Sequence, residues 1–280
     1  MRLANHAGRA WLVDGQGSGA DLASASNGEF GPDPMEALAR WSELRAWAAT
    51  PGPALDTPVD DAALGPPVPA PRAVFAIGLN YRDHALEAKL DIPKAPMVFT
   101  KFPSCLTGPR GDVLLFSERV DYEAELVAVI GREARDVAEP DALDHVAGYC
   151  VGQDVSDRAL QFQDKPPQFS LGKSRESFGP IGPWLTTLDE LADPNDLAIT
   201  CTISGEPMQA SRTSELIFGV PALVAYLSRH CTLAPGDLIF TGTPGGVGSV
   251  RTPRRYLAPG DVIETEIEGL GRLVNRCTPR

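Results

Sequence analysis

Glu123 and Glu125 stand two apart at the head of the run Val120-Asp121-Tyr122-Glu123-Ala124-Glu125-Leu126-Val127-Ala128-Val129-Ile130-Gly131. In a β-strand residues i and i+2 share a face, so the two carboxylates point the same way. That face continues with Val127 and Val129, the other carries Ala124, Leu126, Ala128 and Ile130, and both read as buried. Carboxylates at the head of such a strand are costly unless neutralised. A divalent cation answers that cost, and oxygen-only donors favour magnesium, manganese or calcium over zinc. An isolated Glu-x-Glu is otherwise the mark of a solvated strand end. Asp154 is a candidate third ligand, because it follows the apolar run Val146 to Val151, where a second strand would end. Alone, an aspartate there caps or turns the chain.

A base is also present. Gly78-Leu79-Asn80-Tyr81-Arg82-Asp83-His84-Ala85-Leu86-Glu87 leaves a strand and enters a short helix, with Asn80 as the expected cap. His84 and Glu87, three apart, share a helical face. A carboxylate beside an imidazole fixes its tautomer and raises its basicity, which suits a water-activating base; the same pair also occurs as plain surface charge. Lys173, in Leu171-Gly172-Lys173-Ser174, can polarise a substrate oxygen or merely reach solvent. Thr241-Gly242-Thr243-Pro244-Gly245-Gly246-Val247-Gly248 lacks the Gly-Lys-Ser/Thr ending of a phosphate-binding loop and reads as a tight active-site loop. Nothing matches a nucleotide-binding Gly-x-Gly-x-x-Gly or a Gly-x-Ser-x-Gly elbow.

The elements that must position these groups are mostly short strands. Val74–Ile77, Met97–Phe99, Leu126–Ile130, Leu238–Phe240 and Val262–Ile267 are apolar or alternating runs bounded by Gly, Pro and Asp. A helix is expected from Asp33-Pro34-Met35-Glu36, with Leu38, Trp41, Leu44 and Trp47 on one face, and another over Ser214 to His230 with an irregular turn near Pro221. Residues 1–50 read as a small N-terminal domain, 51–72 as a proline-rich linker and 73–280 as the catalytic domain. The fold class is mixed α/β, rich in β-structure.

Composition narrows the partners. The 280 residues are 43% hydrophobic and carry a formal charge of −12, which repels phosphate backbones and argues against nucleic acid. No run approaches the ~20 apolar residues of a bilayer span, and the N-terminus has no export signal. The five cysteines are scattered, with no Cys-x-x-Cys, and read as reduced core thiols, which places the chain in the cytoplasm.

Five segments in order resemble the fumarylacetoacetate hydrolase family, especially its shorter bacterial members. They are Gly-Leu-Asn-Tyr with His84 and Glu87, Asp121-Tyr122-Glu123-x-Glu125, Asp154-Val-Ser, Gly172-Lys173-Ser174 with Gly-Pro-Ile-Gly-Pro, and Thr241-Gly-Thr-Pro-Gly-Gly-Val-Gly. The resemblance implies a β-sandwich roll in a homodimer, with Mg²⁺ or Mn²⁺ held by Glu123, Glu125 and Asp154. It further implies a water-activating pair of His84 and Glu87, with Lys173, Gln161 and Tyr81 against a small 2-oxo acid and Thr243 near its carboxylate. Gln153 in place of asparagine, Ser204-Gly205-Glu206 in place of Asn-Gly-Glu, and Arg175-Glu176-Ser177 after the lysine depart from the pattern and bear on substrate identity. The implied reaction is hydrolysis of a carbon–carbon bond in a 2,4-dioxo acid of the acylpyruvate or fumarylacetoacetate type, through an enolate that the metal and Lys173 stabilise. Decarboxylation or isomerisation of an oxaloacetate-like acid is the alternative on the same scaffold. A non-catalytic metal-binding partner protein is the reading from another class, and the complete residue set argues against it.

Overall fold

In the computed structural model, which describes residues 1–49, 52–88 and 90–280, the alternation at 124–130 becomes the strand Ala124–Ile130, with every residue buried. It lies in the middle of a twelve-stranded mixed sheet. On one side it pairs antiparallel with Val146–Gln153, Glu125 opposite Gly152 and Leu126 opposite Val151. On the other it pairs with Leu238–Phe240, which runs parallel to Val74–Gly78, and Met97–Thr100 closes that edge.

Side chains leave the central strand alternately, and each face meets its own core. Leu126, Ala128 and Ile130 pack with Ile199, Cys201, Ile263 and Leu273 of a second, five-stranded sheet and with Leu223, Val224 and Leu227 of the helix Val220–Ser228. Val127 and Val129 point the other way, among Leu38, Trp41, Leu44 and Phe240. Two sheets packed across one core, with helices on the remaining face, make a fold that is mixed and β-rich, as the strand pattern indicates, and a sandwich, as the family resemblance implies. No helix of the described residues is long and apolar enough to cross a membrane.

The N-terminal residues are built into this frame. Arg2–His6 pairs antiparallel with Gly179–Thr186, Leu3 opposite Leu185, so the first strand extends the main sheet. Arg9–Val13 and Ser18–Asp21 follow it outward. The described part of the proline-rich stretch is pinned to this sheet: Thr57–Pro58 pairs with Ser18 and Gly19, Leu64–Gly65 with Asn5 and His6, and a 3-10 turn at Asp61–Ala63 separates the two. Thr50 and Pro51, where the boundary was expected, lie outside the described residues.

Two helices differ from expectation. The N-terminal one is divided into Pro34–Ala39, capped by the Asp33 carboxylate accepting from the Met35 amide, and Trp41–Ala49, with the break at Arg40. Its expected face still turns inward, Leu38, Trp41 and Leu44 being buried and Trp47 stacking 5.6 Å from Phe30. The later helix begins only at Val220. Proline lacks an amide proton and is tolerated in a first turn, so Pro221 starts this helix instead of interrupting it.

Candidate metal and active site

The strand ends bring the three carboxylates together. One oxygen from each of Glu123, Glu125 and Asp154 lies within 4.8 Å of the others, and all three residues are buried. Glu123 precedes the first paired residue of its strand and is fixed there by its own backbone: its amide donates to Gln153 Oε1 at 2.9 Å, and its carbonyl accepts from the Asp154 amide at 2.9 Å. Gln153 Nε2 reaches on to Thr265 Oγ1 at 2.7 Å, so the glutamine that departs from the family pattern ties the metal-ligand candidates to the second sheet.

The surroundings of the three differ. Glu123 accepts from Arg158 at 2.5 Å and from Lys173 Nζ at 2.9 Å. Burial alone would raise its carboxyl, but those two cations outweigh burial and hold it below the usual range. Asp154 is bracketed by two ammonium groups at 2.7 Å, Lys101 on Oδ1 and Lys173 on Oδ2. Among the described residues Glu125 accepts only the Gly242 amide, at 2.8 Å, on its Oε2. Burial, followed by the charges of Asp154 and Glu123, pushes the Glu125 carboxyl well above its usual range. An anion so placed calls for more positive charge. The donor set, three converging carboxylates without sulfur or imidazole, fits a hard dication such as Mg²⁺ or Mn²⁺.

Lys173 does not reach solvent. Its Nζ donates to Glu123, Asp154 and Ser156 Oγ within the buried cluster. Two further cations carry no motif that the sequence reading singled out. Lys101 directly follows the strand Met97–Thr100, has a fully buried ammonium, and also donates to the carbonyls of Phe178 (3.0 Å) and Lys173. Arg158 stands one residue past Asp157, which caps the short helix Arg158–Gln161. Each nitrogen of its guanidinium makes a hydrogen bond: Nε to Asp121 at 2.9 Å, one terminal nitrogen to Gln161 Oε1 at 2.8 Å, the other to Glu123. Burial by itself would lower its pKa, and the charges of Glu123 and Asp121 raise it instead.

The glycine-rich loop is a cradle for the protein's own carboxylates. Its amides donate from Gly242 to Glu125, from Gly245 to Asp83, from Gly246 to Glu87 and from Gly248 to Asp121. Gly246 has φ of +103°, and a Cβ there would lie 2.1 Å from the Met208 carbonyl oxygen, so the loop follows this path only with glycine.

These groups open onto a cavity of about 370 Å³. Glu123, Arg158, Gln161, Lys173, Thr243 and His84 are among the residues that line it. Clefts of about 360 and 470 Å³ near the N-terminal helices are lined by none of them. Thr243 Oγ1 accepts from Gln209 at 2.8 Å, which orients it. His84 and Glu87 share a helical face, but Nδ1 to Oε2 is 3.7 Å, too long for a hydrogen bond, and Glu87 Oε2 is taken by the Gly246 amide at 2.8 Å. His84 Nδ1 has no partner among the described residues.

Two expectations need correction. Tyr81 does not line the cavity: it is wholly buried and bridges to Leu216, and its place in the wall is taken by Gly78 and Leu79. Burial, with the charges of Glu125 and Asp83, raises its hydroxyl pKa. Asn80 does not cap the following helix. Its amide group spans Phe218 and Thr241, donating at 3.0 and 2.7 Å to their carbonyls and accepting from the Phe218 amide at 2.9 Å. The turn that allows this holds Leu79 at φ of +52°, a conformation rare for a bulky residue.

Comparison with known proteins agrees with this architecture. A Dictyostelium discoideum fumarylacetoacetate hydrolase domain-containing protein 2 homolog is 48% identical over 229 residues, 78% of this chain and 75% of that one. A mitochondrial oxaloacetate tautomerase of Homo sapiens is 42% identical over 212 residues, 75% and 68% of the two chains. Among solved structures, a Mycobacterium smegmatis protein assigned as HpcE aligns with a TM-score of 0.94 at 51% identity, over 100% of this chain and 99% of that one. A Sphingobium maleylpyruvate hydrolase in complex with manganese(II) and pyruvate aligns at 0.81 with 30% identity, over 100% and 99%. The family model for the fumarylacetoacetate (FAA) hydrolase C-terminal region matches residues 73–278, and with these relatives it places the chain in the fumarylacetoacetate hydrolase family.

Proposed function

We propose that this protein is a divalent-metal-dependent enzyme that interconverts the keto and enol forms of a 2-oxo acid, the chemistry named for its oxaloacetate tautomerase relatives. The observation that carries this reading is the imidazole of His84. It lines the same cavity as Glu123, the member of the carboxylate cluster that reaches the cavity wall, with Nδ1 unpartnered among the described residues, and it makes no hydrogen bond to Glu87 that would dedicate it to water.

A dication, Mg²⁺ or Mn²⁺, held by Glu123, Glu125 and Asp154 would supply Lewis acidity toward the substrate's carboxylate and 2-oxo group. His84 takes the proton from carbon 3 and returns it there in the reverse direction. As that C–H bond breaks, its electron pair forms the C2–C3 double bond, and the carbonyl π pair moves onto the 2-oxo oxygen, which takes a proton from solvent water while His84 releases the proton it removed to solvent, giving the enol with no net change in protons. Lys173 and Arg158 place fixed positive charge in the cavity wall, where negative charge develops, and being already bound they need not reorganise. Thr243 and Gln161 orient the acid. We also propose a homodimer, to be tested by light scattering in solution.

A second reading is hydrolysis of an acylpyruvate. It is favoured by the proximity of Glu87 to His84, 3.7 Å apart, and by the manganese- and pyruvate-bound hydrolase neighbour. Loss of the enol absorbance of oxaloacetate, with products identified by NMR, decides between them. Tautomerisation predicts faster decay with Mn²⁺, abolished by chelator, and neither pyruvate nor carbon dioxide as product. Pyruvate and an acid formed from an acylpyruvate, without acceleration of the oxaloacetate enol, would replace it with the hydrolase. Carbon dioxide release from oxaloacetate would point to the decarboxylase.

A further inference from the structure

The cavity lining is chemically mixed. Beside Glu123, Arg158 and Lys173 it includes Leu90, Met97, Phe99, Phe162, Phe169 and Val250, with Phe99 lying under the Lys173 ammonium at 5.4 Å. Leu90, Met97, Phe162 and Val250 are also among the large apolar side chains that the protein leaves exposed, with Phe162 at 57%. Exposed apolar residues gathered on one concave wall mark a surface that binds an apolar group. A three- or four-carbon acid would leave most of the 370 Å³ unfilled.

Charge gives the same indication. Asp121, Glu123, Glu125 and Asp154 are four buried carboxylates facing three buried cations, Lys101, Arg158 and Lys173. Asp157 is matched separately by Arg175. By formal count the cluster already holds more carboxylates than cations, so every carboxylate a substrate brings adds to the demand for positive charge. A second carboxylate would find no unengaged cation among the described residues of the wall: each nitrogen of Arg158 is already bonded, to Asp121, Gln161 or Glu123, and the Lys173 ammonium donates to Glu123, Asp154 and Ser156. Leaving a buried carboxylate unpaired is expensive.

Resting on the 2-oxo acid reading above, we propose that the preferred substrate carries one carboxylate and an uncharged, apolar arm beyond the oxo carbon, and that Phe99, Phe162, Phe169 and Val250 select that arm. The proposal differs from oxaloacetate, whose arm is a second carboxylate.

A matched pair of unreactive oxamates tests it on the Mn²⁺-loaded protein by calorimetry. N-isobutyloxamate and N-oxalylglycine share the oxalyl head and linker and differ only in an isopropyl group against a carboxylate of similar size. N-isobutyloxamate is expected to bind about tenfold tighter. Phe162→Arg, a change at an exposed position, is expected to shrink or reverse that ratio. Equal or tighter binding of N-oxalylglycine overturns the apolar-arm proposal while leaving the 2-oxo acid reading standing, and a ratio unmoved by Phe162→Arg overturns the assignment of that wall. If neither compound binds, the 2-oxo acid reading itself fails and takes this proposal with it.

Discussion

Lys101 and Lys173 set the properties of Asp154 from opposite sides, one on each carboxylate oxygen at 2.7 Å. A buried ion pair with its remaining donors satisfied costs little net; breaking one side leaves an uncompensated charge, which costs about 3–5 kcal/mol. Lys101→Met should therefore lower unfolding stability by about that amount, and adding Asp154→Asn should recover part of it, because the orphaned charge is then gone. Urea unfolding of the two single variants and the double variant measures this; strictly additive losses would show that the pair is not energetically coupled. His84 stands apart from this network. Its replacement by alanine should reduce turnover roughly a hundred- to ten-thousandfold, the usual worth of a positioned proton carrier, while calorimetric Mn²⁺ affinity stays unchanged. Turnover within twofold of the parent, an estimate of assay scatter, would remove His84 from the reaction.

At the scale of elements, the loop after Leu238–Phe240 connects four carboxylates through backbone amides, so its path matters more than its side chains. Gly246→Ala would force both a left-handed alanine and a contact with the Met208 carbonyl, and should cost about 1–3 kcal/mol. Gly205 is the control: it has φ of +83°, but a Cβ there meets nothing within 4 Å. Gly205→Ala should pay only the backbone strain and leave activity intact, whereas Gly246→Ala should lower both the melting temperature and activity as the amide on Glu87 shifts. Equal effects of the two substitutions on activity would remove the loop path from the site. The same contrast explains what could be read in advance. A continuous apolar run located the strand that Glu123 and Glu125 head, because burial of both faces is written in consecutive residues. Asp154 was legible for the same reason, at the end of the next apolar run. Lys101 was not: in Thr100-Lys101-Phe102 nothing local announces burial, and its partner lies 53 positions on. Arg158 had a signal that was passed over, four residues beyond Asp154 and just inside an aspartate-capped helix. Tyr81 and Asn80 were misplaced because a left-handed Leu79, which no propensity predicts, turns the chain between them and the preceding strand.

At the scale of the molecule, the family model matches 73–278, yet the site depends on what lies before it. Val127 and Val129 continue the face that carries Glu123 and Glu125, and their core is completed by Leu3, Leu12, Leu22, Phe30, Leu38 and Leu44. Removing residues 1–72 would strip those side chains away, unpair Gly179–Thr186 from Arg2–His6, and open the main sheet along a new edge. An exposed strand edge beside an uncovered apolar face favours association over folding. The fragment 73–280 should therefore be recovered aggregated, or as a partly ordered species with little near-ultraviolet circular dichroism, and it should not bind Mn²⁺. Supplying residues 1–72 as a separate chain during refolding should restore some of both, because the missing contacts are strand pairing and apolar burial and need no covalent link. A fragment that stays monomeric, melts cooperatively near the parent temperature and titrates with Mn²⁺ would show that the carboxylate strand holds its geometry from one face alone.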